Sequence, residues 1–370
     1  MGNPMRVLHV VVNMNRGGAE TLLMNLYRNI DRAKVQFDFL TCKAGVFDAE
    51  IIAMGGKIHR IPYVTEVGHK RYLKELDNFF IINNSYKIVH AHMDKMSGLV
   101  LRAAKKAKIP VRIAHSHNTR SEGGIASRLY KWHAGNNIKP NATHLYACSS
   151  TAAKWLYGKA NTTSILKNGI VTDNFRYTSS ISGIMRKQLD LKKDSFVLGH
   201  VGRFSKQKNH MYLLELFSDL KKKLPNAVLV LVGDGPLKSN IMEKIKALHL
   251  ENDVKLLGVR EDIENLFQVF DIFIFPSIHE GLPVTLIEAQ GAGLPCLVSS
   301  AVTKEVDMGI GLVEFLSLTD KMCWTNTLMR KSATIHSRTI DPEALSIKGY
   351  DIRQTAKFIQ KSYLSYSGSS

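Results

Sequence analysis

Two glutamates eight residues apart, Glu280 and Glu288, could act together on one ligand. A short apolar run and a Pro-Ser turn precede them, and Pro283 then opens a predicted helix, because proline suits the first helical position. The start of a helix carries free N–H groups and a partial positive charge, which favour a phosphate group. Glu280 lies just before this helix, and Glu288 lies about 7–8 Å further along its axis. Each carboxylate could therefore accept hydroxyl groups on one side of a bound diphosphate, although two solvated glutamates are the alternative.

Two cationic side chains that follow another predicted strand could neutralise such a diphosphate. Arg203 and Lys208 lie between Val201 and Asn209, with Lys206 between them. When a nucleoside diphosphate leaves a sugar its negative charge grows, and fixed cations stabilise that change. An ordinary basic loop is the alternative interpretation.

Residues 276–289, which read P-S-x-x-E-G-x-P-x-x-x-x-E-A, resemble the signature of family 4 retaining glycosyltransferases, which have the GT-B fold. The resemblance implies that Glu280 contacts the donor sugar and that Glu288 holds the ribose of the nucleotide. Gly281 and Leu282 would then line the same donor site at the helix start.

Three other segments are similar to this family. Arg203 and Lys208 match its Gly-Arg-x4-Lys pattern, in which both side chains hold the donor diphosphate. Gly17 and Gly18 belong to a Gly-Gly-Ala-Glu loop like the one that the family carries at its interdomain cleft, where it closes over the donor. Val259 lies in a segment that resembles the strand end against which the nucleotide base packs.

Histidines gather at His90-Ala-His92 and His115-Ser-His117. Alternate residues of a strand share one face, so each pair is predicted to be hydrogen-bonded in the core rather than to bind a metal ion. The family has a histidine near the donor sugar at the end of a strand in its first domain. Both His115 and His117 fit that place, and we prefer His117 because the polar Asn118 follows where the strand should end.

The other glycosyltransferase fold often binds a metal ion through an Asp-x-Asp pair, and no two aspartates of this chain are two residues apart. We therefore expect a metal-independent reaction without a cofactor. The donor would be a nucleoside-diphosphate sugar, with UDP as the expected nucleotide and GDP or ADP left open.

The alternation of β-rich runs and amphipathic stretches predicts two doubly wound α/β domains. By the resemblance they face a central cleft as Rossmann-like domains. Residues 1–176 would form the acceptor domain, residues 177–349 the nucleotide-sugar domain, and a helix at about 350–366 would cross back to the first. The predicted strands are 6–12, 36–42, 57–61, 87–90, 111–115, 143–148, 196–201, 228–232, 254–256 and 272–275. A helix is predicted at 125–136.

The positive charge is concentrated in the first half of the chain. Residues 1–175 hold 25 Lys or Arg against 11 Asp or Glu, and the remaining residues hold 25 against 21. This balance suggests an anionic partner such as a membrane surface, a pyrophosphate lipid or nucleic acid. No basic stripe interleaved with aromatic residues supports nucleic acid, so we expect none. The four scattered cysteines, the lack of a long apolar run and the lack of a signal peptide predict a cytoplasmic protein, peripheral at the inner face of the cell membrane.

These observations predict a retaining glycosyltransferase that moves a sugar from a UDP-sugar to a hydroxyl of a glycan or lipid-linked glycan in surface polysaccharide synthesis. A phosphate oxygen of the donor would take the acceptor proton during attack on the same face. Two alternatives remain: a nucleotide-sugar epimerase of the same fold, and a nucleotide-sugar-binding protein without catalysis.

Overall fold

The computed structural model describes residues 3–121, 123–159, 162–334, 338, 340–341 and 344–368. The chain divides into two compact units, which are residues 1–169 with 349–370 and residues 170–348. The first unit therefore ends seven residues before the boundary expected from the sequence, and the C-terminal segment belongs to it. No helix in the described part of the chain is long and apolar enough to cross a membrane.

The first unit is built on a seven-stranded parallel sheet with the order β3-β2-β1-β4-β5-β6-β7. The central strands β1, β2, β4 and β5 are buried over most of their length, whereas the edge strands β3 and β7 are not. Buried central strands are typical of a parallel sheet with helices on both faces. The strand bounds are β1 (Met5–Val10), β2 (Val35–Thr41), β3 (Ile58–Arg60), β4 (Ile88–Ala91), β5 (Val111–Ser116), β6 (His144–Ala147) and β7 (Thr163–Ile165).

Helices connect these strands, and the last helix of the chain also belongs to the first unit. Their bounds are α1 (Gly18–Asn29), α2 (Asp48–Ala53), α3 (Val64–Ile82), α4 (Ser97–Lys106), α5 (Ile125–Gly135), α6 (Ser150–Tyr157) and α15 (Ile352–Gly368). Helix α15 packs on α1 and β2. Its Tyr363 is fully buried, and the Tyr363 hydroxyl lies 2.7 Å from His90 Nδ1.

The second unit is a six-stranded parallel sheet with the order β10-β9-β8-β11-β12-β13. Its core is aliphatic and aromatic and includes Leu198, Phe217, Ile274 and Trp324. The strands are β8 (Phe196–Val201), β9 (Ala227–Val232), β10 (Val254–Leu256), β11 (Ile272–Phe275), β12 (Cys296–Ser299) and β13 (Val313–Leu316).

The helices of the second unit are α7 (Thr172–Phe175), α8 (Ser179–Gln188), α9 (His210–Lys223), α10 (Lys238–Ala247), α11 (Ile263–Phe267), α12 (Val284–Gly291), α13 (Lys321–Ser332) and α14 (Ala344–Ile347). Helix α12 begins one residue later than expected, because Pro283 is its N-cap in extended backbone and not its first helical residue. Pro283 supplies no side-chain hydrogen bond to the first N–H groups of α12, and Leu286 N donates to Pro283 O at 3.2 Å.

Candidate functional site

The strand order of the second unit determines where a ligand can bind. Strands β8 and β11 are neighbours. From β8 the chain continues to β9 toward one edge of the sheet, and from β11 it continues to β12 toward the other edge. Open parallel sheets bind ligands outside the carboxyl ends of their strands at such a point. The segments that follow these two strands are residues 202–209 and 276–283.

Lys208 and Glu280 meet at this point although they are 72 residues apart in sequence. Lys208 Nζ donates a hydrogen bond of 2.8 Å to Glu280 Oε1, and the two side chains are 15% and 9% exposed. Lys208 Nζ also lies 4.5 Å from the centroid of the Phe275 ring, a cation–π contact. A Cβ on Gly202 would lie 3.1 Å from Lys208 Cε, so glycine leaves room for the lysine.

Hydrogen bonds between the two loops fix this ion pair in place. Gln207 Nε2 donates to His279 O at 2.9 Å, and Ile278 N donates to Gln207 O at 2.8 Å. Asn209, which has a left-handed backbone with φ of 59°, donates from Nδ2 to Pro276 O at 3.2 Å. The loops therefore form one rigid support for Lys208 and Glu280.

Arg203 lies on the same loop as Lys208, and its side chain is exposed. Backbone bonds hold its neighbour Phe204, which donates to Asp234 O at 2.9 Å and accepts from Leu237 N at 3.0 Å. The structure thus brings Arg203, Lys208 and Glu280 to one end of the sheet, with the guanidinium on the solvent side.

Glu288 lies in α12, about 6 Å along the axis from the first helical residue. Burial, and to a lesser degree the charge of Glu264, raises the pKa of Glu288 from 4.5 to about 8. At neutral pH this carboxyl group is therefore mostly protonated, and it can both donate and accept hydrogen bonds.

Three polar side chains that the sequence analysis did not select lie around the start of α12. Ser277 Oγ, both ring nitrogens of His279, and Thr285 Oγ1 are buried and have no hydrogen-bond partner among the described residues. Buried polar groups are rarely left unpaired. All three lie in the segment that carries Glu280 and Glu288. Only their burial distinguishes them, and burial cannot be read from the sequence. Gly281 and Leu282, also buried, complete this segment.

Val259 is exposed just beyond β10, two strands away from β8. Strands in a sheet are about 4.8 Å apart, so Val259 lies roughly 10 Å from the end of β8. The contact of this segment with the nucleotide base stays a prediction.

The predicted residues of the first unit follow the ends of β1 and β5. Gly17 is the N-cap of α1, and Gly18 is its first residue. A Cβ on Gly17 would lie 2.3 Å from Glu20 Oε2, whereas a Cβ on Gly18 would meet nothing. Burial raises the pKa of Glu20 to about 7. A Cβ on Gly17 would meet only the end of the flexible Glu20 side chain, so the space around them requires glycine at neither position.

Five histidines of the first unit form one contiguous cluster, which is buried except for the half-buried His117: His9, His90, His92, His115 and His117. Ring nitrogens of His9 and His92 are 3.0 Å apart, those of His92 and His117 are 2.9 Å apart, and those of His90 and His115 are 3.2 Å apart. Burial lowers the pKa of every one of them, to about 3 for His9 and His117.

Each of His90, His92, His115 and His117 thus shares a ring-nitrogen hydrogen bond with a histidine of a neighbouring strand, and burial favours its neutral form. That they bind no metal ion stays a prediction. Two groups of three histidines also bring their ring nitrogens together. In each group, one nitrogen of every ring lies within 4.8 Å of the other two, and the groups are His9, His90 and His92, and His92, His115 and His117. Most of these nitrogens already bond to one another. His115 is fully buried whereas His117 is half-buried, so of the two alternatives only His117 reaches the surface of its unit.

Two family models match the chain. Residues 16–174 match the model described as Glycosyltransferase Family 4, and residues 182–306 match the model described as Glycosyl transferases group 1. The putative glycosyltransferase EpsF of Bacillus subtilis (strain 168) is 40% identical over 359 residues, which are 94% of each chain. The UDP-Gal:alpha-D-GlcNAc-diphosphoundecaprenol alpha-1,3-galactosyltransferase of Escherichia coli is 33% identical over 226 residues, or 58% of each chain.

A solved structure of similar architecture is Anabaena Alr3699/HepE in complex with UDP and glucose. It superposes with a TM-score of 0.80 at 22% identity and covers 98% of this chain and 100% of its own. At that identity the similarity concerns the fold.

Replacing Lys208 by Met should destabilise the protein, because Glu280 is then left buried without its counter-ion. We expect the free energy of unfolding to fall by about 3 kcal/mol. The matched control Lys206→Met, at an exposed position of the same loop, should change it by less than about 0.5 kcal/mol. Urea unfolding followed by fluorescence measures both, and equal effects of the two substitutions would contradict a buried pair.

The raised pKa of Glu288 predicts a specific dependence of stability on pH. The folded protein retains a proton that the unfolded chain releases above pH 4.5, so this contribution to stability is lost as pH rises through about 8. Glu288→Gln should therefore show a smaller drop in melting temperature between about pH 6 and about pH 9 than the unsubstituted protein. Glu251→Gln, at an exposed position, is the control; if Glu288→Gln drops as far as the control, Glu288 is charged at neutral pH.

Proposed function

This chain belongs to glycosyltransferase family 4 and is a glycosyltransferase of the GT-B fold, and we propose that it transfers a sugar from a UDP-sugar to a glycan or lipid-linked glycan with retention of configuration. The reaction would serve the synthesis of a surface polysaccharide. The observation that carries this proposal is the buried contact of Lys208 with Glu280 beside the start of α12.

The similar proteins support this choice of donor and acceptor. The name of the E. coli relative gives UDP-galactose as its donor and a sugar on diphosphoundecaprenol as its acceptor. The HepE structure contains UDP and glucose. A lipid diphosphate acceptor would also account for the positive charge of the first half of this chain.

The ion pair gives the donor site a way to respond to a diphosphate. An incoming phosphate competes with Glu280 for Lys208, and Arg203 supplies a second cation. When Lys208 turns to the phosphate, Glu280 becomes able to accept hydroxyl groups of the donor sugar. The cations then stabilise the charge that grows on the leaving UDP.

The remaining contacts are assigned by position and by family resemblance. The N–H groups at the start of α12, next to Gly281 and Leu282, would face the diphosphate. Glu288 would hold the ribose and Val259 the base. From the first unit, the loop of Gly17 and Gly18 would close over the donor, and His117 would approach the sugar.

The proposed chemistry needs neither a metal ion nor a cofactor. By the family resemblance the acceptor hydroxyl attacks the anomeric carbon on the face that UDP leaves, and a donor phosphate oxygen takes its proton. We also propose that the basic first unit makes a peripheral contact with an anionic membrane at the inner face of the cell membrane, where a lipid-linked acceptor is presented.

Substituting the two glutamates separates binding from turnover. Glu280→Ala should lower the transfer rate by about 100-fold or more, because the sugar loses its positioning contact, while UDP binding is retained since Lys208 is freed for the phosphate. Glu288→Ala should weaken UDP binding by roughly tenfold or more, as expected for the loss of a ribose hydrogen bond. Calorimetry with UDP and a transfer assay with lipid-linked glycan measure both, with Glu251→Ala as the control.

The same assays distinguish the alternatives. An epimerase would convert the UDP-sugar to its epimer without any acceptor. A binding protein without catalysis would bind UDP tightly and show no turnover with lipid-linked or free glycans. A glycosyltransferase whose donor site lies elsewhere would lose neither UDP binding nor turnover in the two glutamate variants.

A further inference from the structure

Helix α5 exposes its apolar residues instead of burying them. Ile125, Leu129 and Trp132 are 79%, 62% and 58% exposed in the whole chain. Their spacing of four and three residues places them within an arc of roughly 60° on one face of the helix. A surface helix normally turns such a face toward the core. Here the apolar stripe faces solvent.

The opposite face of α5 explains this orientation. Ala134 lies about 180° around the helix from the stripe and is fully buried. A Cβ on Gly98 of α4 would lie 2.1 Å from Ala134 O, so the two backbones are in direct contact. Tyr130 is bound through its hydroxyl to His69 Nδ1 of α3 at 2.8 Å. Helix α5 is thus anchored by Ala134 and Tyr130, which leaves the stripe directed outward.

Basic side chains surround the stripe. Arg128 and His133 flank it on either side, Lys131 lies beside Arg128, and α5 contains no acidic residue. Two lysines of the neighbouring helix α3, Lys70 and Lys74, are also exposed. The three acidic residues of α3 pair with cations outside α5: Glu66 lies 3.6 Å from Lys43, Glu75 lies 3.8 Å from Arg71, and Asp77 lies 3.2 Å from Arg102 and 2.8 Å from Lys106.

We infer that the outward face of α5, formed by Ile125, Leu129 and Trp132 with Arg128 and Lys131 beside them, is the surface that inserts into an anionic lipid bilayer. Apolar residues with a tryptophan on one face of a helix, bordered by basic residues, suit the boundary between headgroups and acyl chains. Arginine and lysine can keep their charge at the phosphate level while their stems cover apolar surface. This inference rests on the membrane contact proposed above and assigns it to particular residues.

A second copy of the chain fits this surface less well. Three side chains offer far less than the roughly 800 Å² that each partner buries in a stable interface. Two copies paired through α5 would also bring Arg128 and Lys131 of one molecule near the same cations of the other, with no carboxylate on α5 to offset them.

The test compares vesicle binding of the full chain and of matched variants. Sedimentation with vesicles of phosphatidylglycerol and phosphatidylcholine, and with phosphatidylcholine alone, measures the partition coefficient. The unsubstituted chain should bind the anionic vesicles at least tenfold better. The variant I125S/L129S/W132S should bind them at least about 100-fold more weakly, which corresponds to about 2.7 kcal/mol.

Matched controls distinguish binding through this face from nonspecific hydrophobic binding. Ile184→Ser and Met242→Ser remove exposed apolar side chains of the second unit and should leave binding unchanged. Tryptophan fluorescence of the unsubstituted chain gives a second measurement that does not depend on the folding of the triple variant. Insertion of Trp132 should shift the emission to the blue, and the fully buried Trp324 gives a constant background.

Three results would overturn the inference, and they differ in which other proposals they affect. If the triple variant binds anionic vesicles as well as the unsubstituted chain, the membrane contact stands but another surface makes it. If the unsubstituted chain binds neither kind of vesicle, the proposed membrane contact fails as well, while sugar transfer to a soluble acceptor can still be measured. Concentration-dependent dimerisation lost in the triple variant would instead assign the face to a second copy.

Discussion

The contact between Lys208 and Glu280 is the interaction on which the proposed donor site depends. Each charge is mostly removed from water, so either alone would be costly, and together they fix one another beside the start of α12. A ligand that carries negative charge can exchange with Glu280 for the lysine. The exchange costs less than burying a new charge, because the cation is already desolvated and in position.

The topology of the second sheet makes this contact possible. Lys208 follows β8 and Glu280 follows β11, and these strands become neighbours only because the order of the sheet reverses there. Hydrogen bonds of Gln207 and Asn209 to the loop after β11 then set the position of both side chains. In the first unit, the reversal between β1 and β4 similarly brings His9 beside His90 and His92.

The family and the two doubly wound sheets that the sequence predicts are confirmed, and each predicted strand occurs within two residues of its expected bounds. Strands β7, β12 and β13 were missed, although β10 and β11, which are equally short, were predicted. Spacing selected Arg203, Lys208, Glu280 and Glu288. It could not predict the ion pair, the raised pKa of Glu288 or the burial of His279, because these depend on how distant segments of the chain pack together. The amphipathic pattern also predicted a helix at 125–136. Such a pattern does not show which face of the helix packs against the rest of the protein.

The decisive experiment is a crystal structure of the protein with an intact UDP-sugar. In that complex Lys208 Nζ should leave Glu280 and lie within hydrogen-bond distance of a phosphate oxygen. The Glu280 carboxylate should then accept hydroxyl groups of the sugar. A bound donor whose diphosphate lies away from Lys208, with the contact between Lys208 and Glu280 intact, would contradict it.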